Sequence, residues 1–377
     1  MHHRRESTPL ALILAERIRF HGPITFAEYM EACLYHPEHG YYAKADWQPR
    51  EDYFTNVDAR PVFGRLLARQ LREMWTRLGS PIPFSLIEAG AGTGDLAKQI
   101  LDFAAQQWRE FYEALEYVAV ERSPVRRVAQ RNALAAHLAA GHAKSAAEIP
   151  DDFACGCVFS NELLDAMPVH WVTEEHGELR EIYVAQGNSG LCEQTRPLSS
   201  PALSRYFAEQ GIELSAGQRA EICLAAAKWM EEIGRKLRRG FVLTIDYGHQ
   251  AQELYDERHM RGTLLAYEGH RASEDYFRAP GEQDLTAHVN FTAMERWGRR
   301  AGLVPVGLTS QTDFLLALAR HSNFEDLQSD RMDRNQQERA RLLFKTLIHP
   351  EGMGGTFQVL IQHKRVDAAH LAGLDPL

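Results

Sequence analysis

Three glycines at alternate positions, Gly90, Gly92 and Gly94, follow a short apolar run, Phe84-Ser85-Leu86-Ile87, that closes on Glu88-Ala89. An amphipathic segment, 95–101, begins directly after them. This pattern predicts a buried strand, a tight turn and a helix N-terminus. Glycine has no Cβ, so the backbone at such a turn can approach a ligand closely. The free N–H groups of a helix start favour a negatively charged or electron-rich group. The chemistry expected here is the binding of a nucleotide-like cofactor.

The spacing narrows the choice. A dinucleotide fold asks for G-x-G-x-x-G. Gly90-Ala91-Gly92-Thr93-Gly94 is G-x-G-x-G, with Asp95 at the third dinucleotide position. An acid there would repel a pyrophosphate, and Glu88 in the strand suits a cationic ligand better. S-adenosylmethionine meets both conditions, having no phosphate, a sulfonium cation and an amino-acid tail. A second strand, 117–121, ends in Glu121. The first β-α-β unit would place that acid to accept hydrogen bonds from both ribose hydroxyls. A glycine triplet alone is often only a tight turn; the acid on each side is what favours the cofactor.

The rest of the chain must position this loop. With 377 residues and 45% hydrophobic content, it can bury a core of one large or two modest domains. The net charge of −9 and pI near 6.0 give no basic field, so nucleic acid is not the expected partner. The run Arg235-Lys236-Leu237-Arg238-Arg239 reads as a solvated helix end favoured by the dipole. Five cysteines show no disulfide or metal-ligand framework, and Cys155-Gly156-Cys157 reads as small residues beside a core strand. A reducing cytoplasm is the expected compartment, with no metal. The apolar run 10–15 is too short to cross a bilayer and meets Glu16-Arg17 at once, so no membrane insertion is expected.

Residues 8–19 predict a helix, and Thr25 with Glu28 predicts a capping box opening a second. A third is expected from about 60 to 78. From 84 onward strand and helix patterns alternate, over 84–89, 95–107, 117–121, 124–138 and 157–160. That alternation predicts a parallel sheet flanked by helices. It breaks near 170, where 171–173 and 179–184 flank His176-Gly177 as an antiparallel hairpin. A helix near 217–238, a core strand at 241–248, a loop-rich stretch over 250–290 and apolar strands at 303–308 and 355–361 complete the reading.

Several unrelated segments occur together in one order. They are 22–30, Tyr35-His36-Pro37-Glu38-His39-Gly40-Tyr41-Tyr42, Asp52-Tyr53-Phe54-Thr55, Asn161-Glu162-Leu163-Leu164-Asp165-Ala166-Met167-Pro168-Val169, Asp246-Tyr247-Gly248-His249, Gly269-His270 and 280–289. In this the chain resembles the MidA-like methyltransferases, whose mitochondrial members are complex I assembly factors, over about residues 8 to 365. The resemblance implies an α/β, class I, Rossmann-like fold with a mostly parallel seven-stranded sheet and helices on both faces. It also implies protein arginine methylation. On this view 1–80 is an N-terminal helical cap and 171–238 an inserted hairpin and helix region. Residues 81–170 and 239–377 form the cofactor-binding core, with 250–300 covering the active site. Ala91 stands where the family often has proline, and Asn290 where aspartate is common; neither change removes a cofactor carboxylate.

An arginine nucleophile sets its own requirement. Guanidinium stays protonated in water, and carboxylates can grip it in a fork and orient one nitrogen. Glu162 and Asp165 are the candidates, three residues apart, so that a helical turn would put them on one face. The same acids could instead serve a helix dipole. Asn161 offers an amide to the methionine tail or to the substrate. His249, His270 or His288 could take a proton, although each could equally be a loop hydrogen-bonder. Asp52 and Thr55 either fold over the cofactor or make a local turn. The expected partner is a protein substrate, with a respiratory-chain subunit among the candidates. A small-molecule N- or O-methyltransferase and a non-catalytic assembly chaperone remain the alternatives.

Overall fold

The apolar run before the glycines is a central strand. The structure, a computed structural model, describes residues 7–44, 61–268, 271–328, 333–349, 353–367 and 370–376. Strands β1 (Phe84–Ala89), β2 (Leu115–Val120), β3 (Ala143–Ala146), β4 (Gly156–Asn161), β5 (Gly240–His249), β6 (Val304–Ser310) and β7 (Phe357–Lys364) follow one another in a sheet in the order β6-β7-β5-β4-β1-β2-β3. β1 pairs in parallel with β2 and with β4, and the parallel run extends to β3 and β5. Every residue of β4, and every residue of β1 except Ser85, is buried, as a parallel strand covered on both faces requires.

Parallel pairing runs along most of the sheet path, as expected, and the sheet as a whole is mixed. β7 runs antiparallel to both β5 and β6. Five strands therefore share the parallel register and a returning pair closes one side. The expected helix over 124–138 breaks at Leu134 into Pro124–Ala133 and Ala135–Ala139. The expected helix at 217–238 begins only at Leu224, because Arg219–Ile222 is a strand. Helices Gln311–His321 and Arg334–Ile348 lie between the expected strands at 303–308 and 355–361, where the sequence reading assigned no element.

The chain divides by its contacts into two units. One takes the described residues of Met1–Tyr53, Leu164–Lys228 and His249–Ala293; the other those of Phe54–Leu163, Trp229–Gly248 and Met294–Leu377. The second unit holds the sheet path and three helices that bear on the loop, α1 (Val62–Arg77), α2 (Asp95–Gln107) and α3 (Pro124–Ala133). Helix α1, expected in an N-terminal cap, packs into this unit's core through Phe63, Leu67, Leu71 and Met74, with Phe84, Phe159 and Phe241 of the sheet in the same cluster. Burying each such side chain stabilises the fold by roughly 1.5–3 kcal/mol.

The first unit is built on other sheets. Thr8 caps helix Pro9–His21, and the expected capping box is present: Glu28 N–H donates to Thr25 Oγ1 at 3.2 Å and Thr25 N–H to Glu28 Oε2 at 3.0 Å. The expected hairpin is the antiparallel pair His170–Glu175 and Glu178–Gly187, within a five-stranded sheet. The 250–290 region is more ordered than expected. Leu265–Glu268 pairs with Arg271–Ser273 and with Asp284–Thr286. These strands are three or four residues long, too short for alternation to show. Phe26, Tyr29, Trp171 and Tyr276 fill this unit's core.

Candidate active site

The site begins where β1 ends. Glu88 is buried, and Tyr117 of β2 donates its hydroxyl to Glu88 Oε2 at 2.6 Å. Burial pushes the Glu88 carboxyl up to about 8; the Tyr117 bond opposes the rise, and the charges of Asp95 and Glu121 add to it. A carboxyl poised this way gains from a cationic ligand. Tyr117 carries no signal of its own in the sequence beyond being the lone hydroxyl in a buried aliphatic strand.

Gly90, Gly92 and Gly94 all have positive φ, at 77°, 52° and 82°. They differ in what surrounds them. A Cβ on Gly90 would lie 2.9 Å from Leu163 Cδ1, and one on Gly94 3.0 Å from Gln130 Cγ. A Cβ on Gly92 would meet no protein atom within 4 Å. The first and third glycines are needed for packing, whereas the middle one faces open space. Gly94 caps α2, whose first residue is Asp95. This arrangement fits S-adenosylmethionine: an open glycine backbone with a buried acid before it.

Glu121 was expected to face a ribose. It is buried, and its carboxylate accepts the N–H of Gly92 at 3.0 Å through Oε2 and that of Ser123 at 2.7 Å through Oε1. The acid therefore ties the glycine loop to the turn after β2, and a ligand ribose would use its remaining lone pairs. Arg127 of α3 donates to the carbonyls of Glu121 and Arg122 at 2.7 and 2.8 Å and steadies that turn. The sequence reading missed this arginine, whose helical position alone does not reveal it.

Asn161 closes β4, and Glu162 follows it directly. Asn161 Nδ2 donates to Glu162 Oε1 at 2.9 Å. Glu162 lies at φ +53°, in the left-handed region that a non-glycine residue rarely adopts. Asp246, fully buried on β5, accepts the N–H of Leu163 at 3.1 Å and of its neighbour Tyr247 at 3.0 Å. Such strain persists where the surroundings enforce it, and it clusters at functional sites. The helical turn expected to align Glu162 with Asp165 does not form; 162–168 are bends, one turn and irregular backbone. The left-handed backbone at Glu162 departs from helical geometry at the first residue of that turn.

Glu88, the three glycines, Glu121, Asn161 and Glu162 thus belong to one unit. Asp165 and His249 belong to the other. Asp165 is buried, and its charge, with that of Asp284, adds to burial in pushing the Tyr267 phenol up. His249 ends β5, half-buried, with Nδ1 3.3 Å from Glu253 Oε2 and its ring against those of His259 and His288. Burial holds the His249 imidazole below its ordinary range, and holds His288 down to about 3. Asp52, Thr55 and His270 lie outside the described residues. No described helix is long and apolar enough to cross a membrane.

The mixed sheet, the glycine loop and the two flanking acids define an S-adenosylmethionine-dependent methyltransferase. The model of a family described as "Putative S-adenosyl-L-methionine-dependent methyltransferase" matches residues 66–309, and the chain belongs to that family. A protein from Burkholderia thailandensis, crystallised with S-adenosyl-homocysteine, is 32% identical and superposes with a TM-score of 0.86, over 97% of this chain and 94% of that one. Among curated relatives, the Drosophila melanogaster "Protein arginine methyltransferase NDUFAF7 homolog, mitochondrial" is 28% identical, over 96% of this chain and 86% of its own length. The Homo sapiens "Protein arginine methyltransferase NDUFAF7, mitochondrial" is 26% identical, over 95% and 85%.

Proposed function

We propose that this methyltransferase acts on arginine side chains of a protein substrate. The observation that carries the reading is Glu162, an acid held in a strained conformation at the end of β4, with Asn161 fixing Oε1. Relatives named as protein arginine methyltransferases support the choice of nucleophile. S-adenosylmethionine, when bound, supplies an electrophilic methyl group on a sulfonium. Gly90, Gly92 and Gly94 would hold it through their backbone, Glu88 through its cationic part and Glu121 through the ribose. The chain must then orient a nitrogen that water keeps protonated. In our reading Glu162 grips the guanidinium, and its carboxylate accepts the proton that the attacking nitrogen releases. Asp165 is assigned as a second carboxylate on the nucleophile side, and His249, its imidazole kept neutral by burial, as the next proton acceptor.

The first unit, which carries Asp165 and His249, is read as the substrate-recognition part, and the second as a class I methyltransferase core. All five cysteines are free thiols, which supports a reducing cytoplasmic setting. A respiratory-chain subunit is the first substrate to test. The experiment incubates the purified chain with methyl-labelled S-adenosylmethionine and extract from a strain lacking the gene, then hydrolyses the protein fraction. Labelled methylarginine from the native chain, and none from Glu162→Gln, is the expected result. Label confined to small molecules would make it a small-molecule methyltransferase. Cofactor binding without any turnover would make it a chaperone that keeps the fold.

A further inference from the structure

The Tyr117 hydroxyl reaches Glu88 because of strand register. In the β1–β2 pair Leu86 stands opposite Tyr117, and Glu88 opposite Ala119. Residues two apart on a strand share a face, so Tyr117 and Glu88 lie diagonally on one face of the sheet. Phe159 of β4 stands opposite Glu88 on the other side. Its ring meets that of Tyr117 edge-on, with centroids 6.3 Å apart, and both rings are fully buried. Packing therefore holds the phenol in place, and its hydroxyl fixes Glu88 Oε2 at 2.6 Å. Among the described residues no donor reaches Glu88 Oε1.

The groups around this carboxyl leave it short of positive charge. Tyr117 of β2, Asp95 of α2 and Glu121 after β2 are the titratable groups that bear on it, and none is a cation. Cys157 of β4 bears on the phenol, and burial pushes its thiol up. Burial and the Glu88 charge push the Tyr117 phenol up as well, so the hydroxyl keeps its proton and serves as the donor. The titrating group of the pair is therefore Glu88. The Tyr117 bond favours its ionised form, whereas burial and the two neighbouring acids favour the neutral one. A cation brought beside such a carboxyl favours its ionisation.

We propose that Tyr117 is a positioning residue of the cofactor site: it anchors one oxygen of Glu88, leaves the other for the cationic part of S-adenosylmethionine, and so lets Glu88 give up its proton as the cofactor binds. The O–H bond of the carboxyl breaks, its electron pair stays on the carboxylate and the proton passes to buffer. This coupling depends on the cofactor alone and is the same whichever nucleophile accepts the methyl group.

The test is calorimetric titration of the full chain with S-adenosylmethionine between about pH 6 and pH 9, in two buffers of different ionisation enthalpy. The change of heat with buffer counts the protons released. Glu88→Gln keeps only the titration of the ligand's own amino group. At about pH 7 the native chain should release nearly one proton per cofactor more than this variant, because a carboxyl at about 8 is still mostly neutral there. The ratio of native to Glu88→Gln affinity should rise about tenfold per pH unit below about 8 and level off above it.

Tyr117→Phe removes the bond and keeps the ring. The pH at which affinity levels off should move up by about one unit or more, the scale of a lost hydrogen bond to a charged group. At about pH 7 this variant should bind about tenfold more weakly than the native chain, and the deficit should close as pH rises. A phenol that is merely structural would lower the melting temperature and weaken binding equally at every pH. The double variant Tyr117→Phe/Glu88→Gln buries no acid here, and it carries the test of Tyr117 if Tyr117→Phe alone does not fold. It should bind as Glu88→Gln does, since Tyr117 acts through Glu88. Equal proton counts in the native and Glu88→Gln chains overturn the proposal. So does a Tyr117→Phe deficit that is the same at every pH, or a double variant that binds more weakly than Glu88→Gln. No methyl transfer is measured, so these outcomes are separate from failure of the methylarginine experiment.

Discussion

Glu121 and Gly92 are joined through the loop backbone: the Gly92 N–H points at Glu121 Oε2 over 3.0 Å, and the other carboxylate oxygen holds Ser123 N–H at 2.7 Å. One side chain thus shapes the glycine loop and remains available to a ligand. Glu121→Ala should therefore do two things. Hydrogen bonds to a charged group are worth about 1.5–3 kcal/mol, so affinity for S-adenosyl-homocysteine should fall by one to two orders of magnitude in calorimetry. The melting temperature without ligand should fall too, because two backbone donors lose their acceptor. A variant with reduced affinity and an unchanged melting curve would show that the acid serves the ligand alone.

The buried Glu88 carboxyl makes stability depend on pH with a definite sign. Its folded value of about 8 lies above the ordinary 4.5. The folded chain therefore holds the proton more tightly than the unfolded one. That contribution is complete below about 4.5 and is lost as pH rises through about 8. Glu88→Gln keeps a neutral group in place and removes the titration. Melting curves of both proteins at pH 5 and pH 9 should show the variant gaining on the native chain at the higher pH. A gap that does not change between the two would mean that Glu88 is not protonated in the fold.

The three glycines should respond differently to the same methyl group. Gly90→Ala and Gly94→Ala each add a Cβ against Leu163 or Gln130, so both should lose stability from contact as well as from positive φ. Gly92→Ala meets no protein atom. Its cost should be the left-handed conformation alone, roughly 1–2 kcal/mol. Gly92→Val should abolish cofactor binding in a chain that still folds, since its branches would fill the open side of the loop. Circular dichroism beside calorimetry decides this. Binding retained by a folded Gly92→Val chain would move the cofactor elsewhere.

Much of this was legible because it is local. Glu88, the glycine spacing and Glu121 lie within one β-α-β unit, where alternation and turn chemistry report directly on geometry. The Thr25–Glu28 box was legible for the same reason. What the sequence hid depends on distant pairing. The Tyr117–Glu88 bond needs the register of two strands, in which Leu86 stands opposite Tyr117. The short strands at 265–268 and 284–286 exist only because they find each other. The left-handed Glu162 has no sequence marker, since glutamate is a poor choice for that conformation, and its strain breaks the helical turn that its spacing with Asp165 suggests.

That strain yields the most discriminating test of the catalytic assignment. Glu162→Gln keeps the size of the side chain and removes its charge. If the carboxylate grips a guanidinium, turnover should collapse while affinity for S-adenosyl-homocysteine stays near normal, because the interaction lies on the nucleophile side. Glu162→Gly should abolish turnover equally. It should also raise the melting temperature, since glycine adopts φ +53° without the roughly 1–2 kcal/mol that a side chain costs there. A residue kept for stability would show the reverse, with full activity in Gln and a less stable fold in Gly. The pair of variants therefore separates an acid held in strain for chemistry from one that merely ends a strand. Activity retained by both would remove Glu162 from the mechanism and leave Asp165 and His249 as the groups to test next.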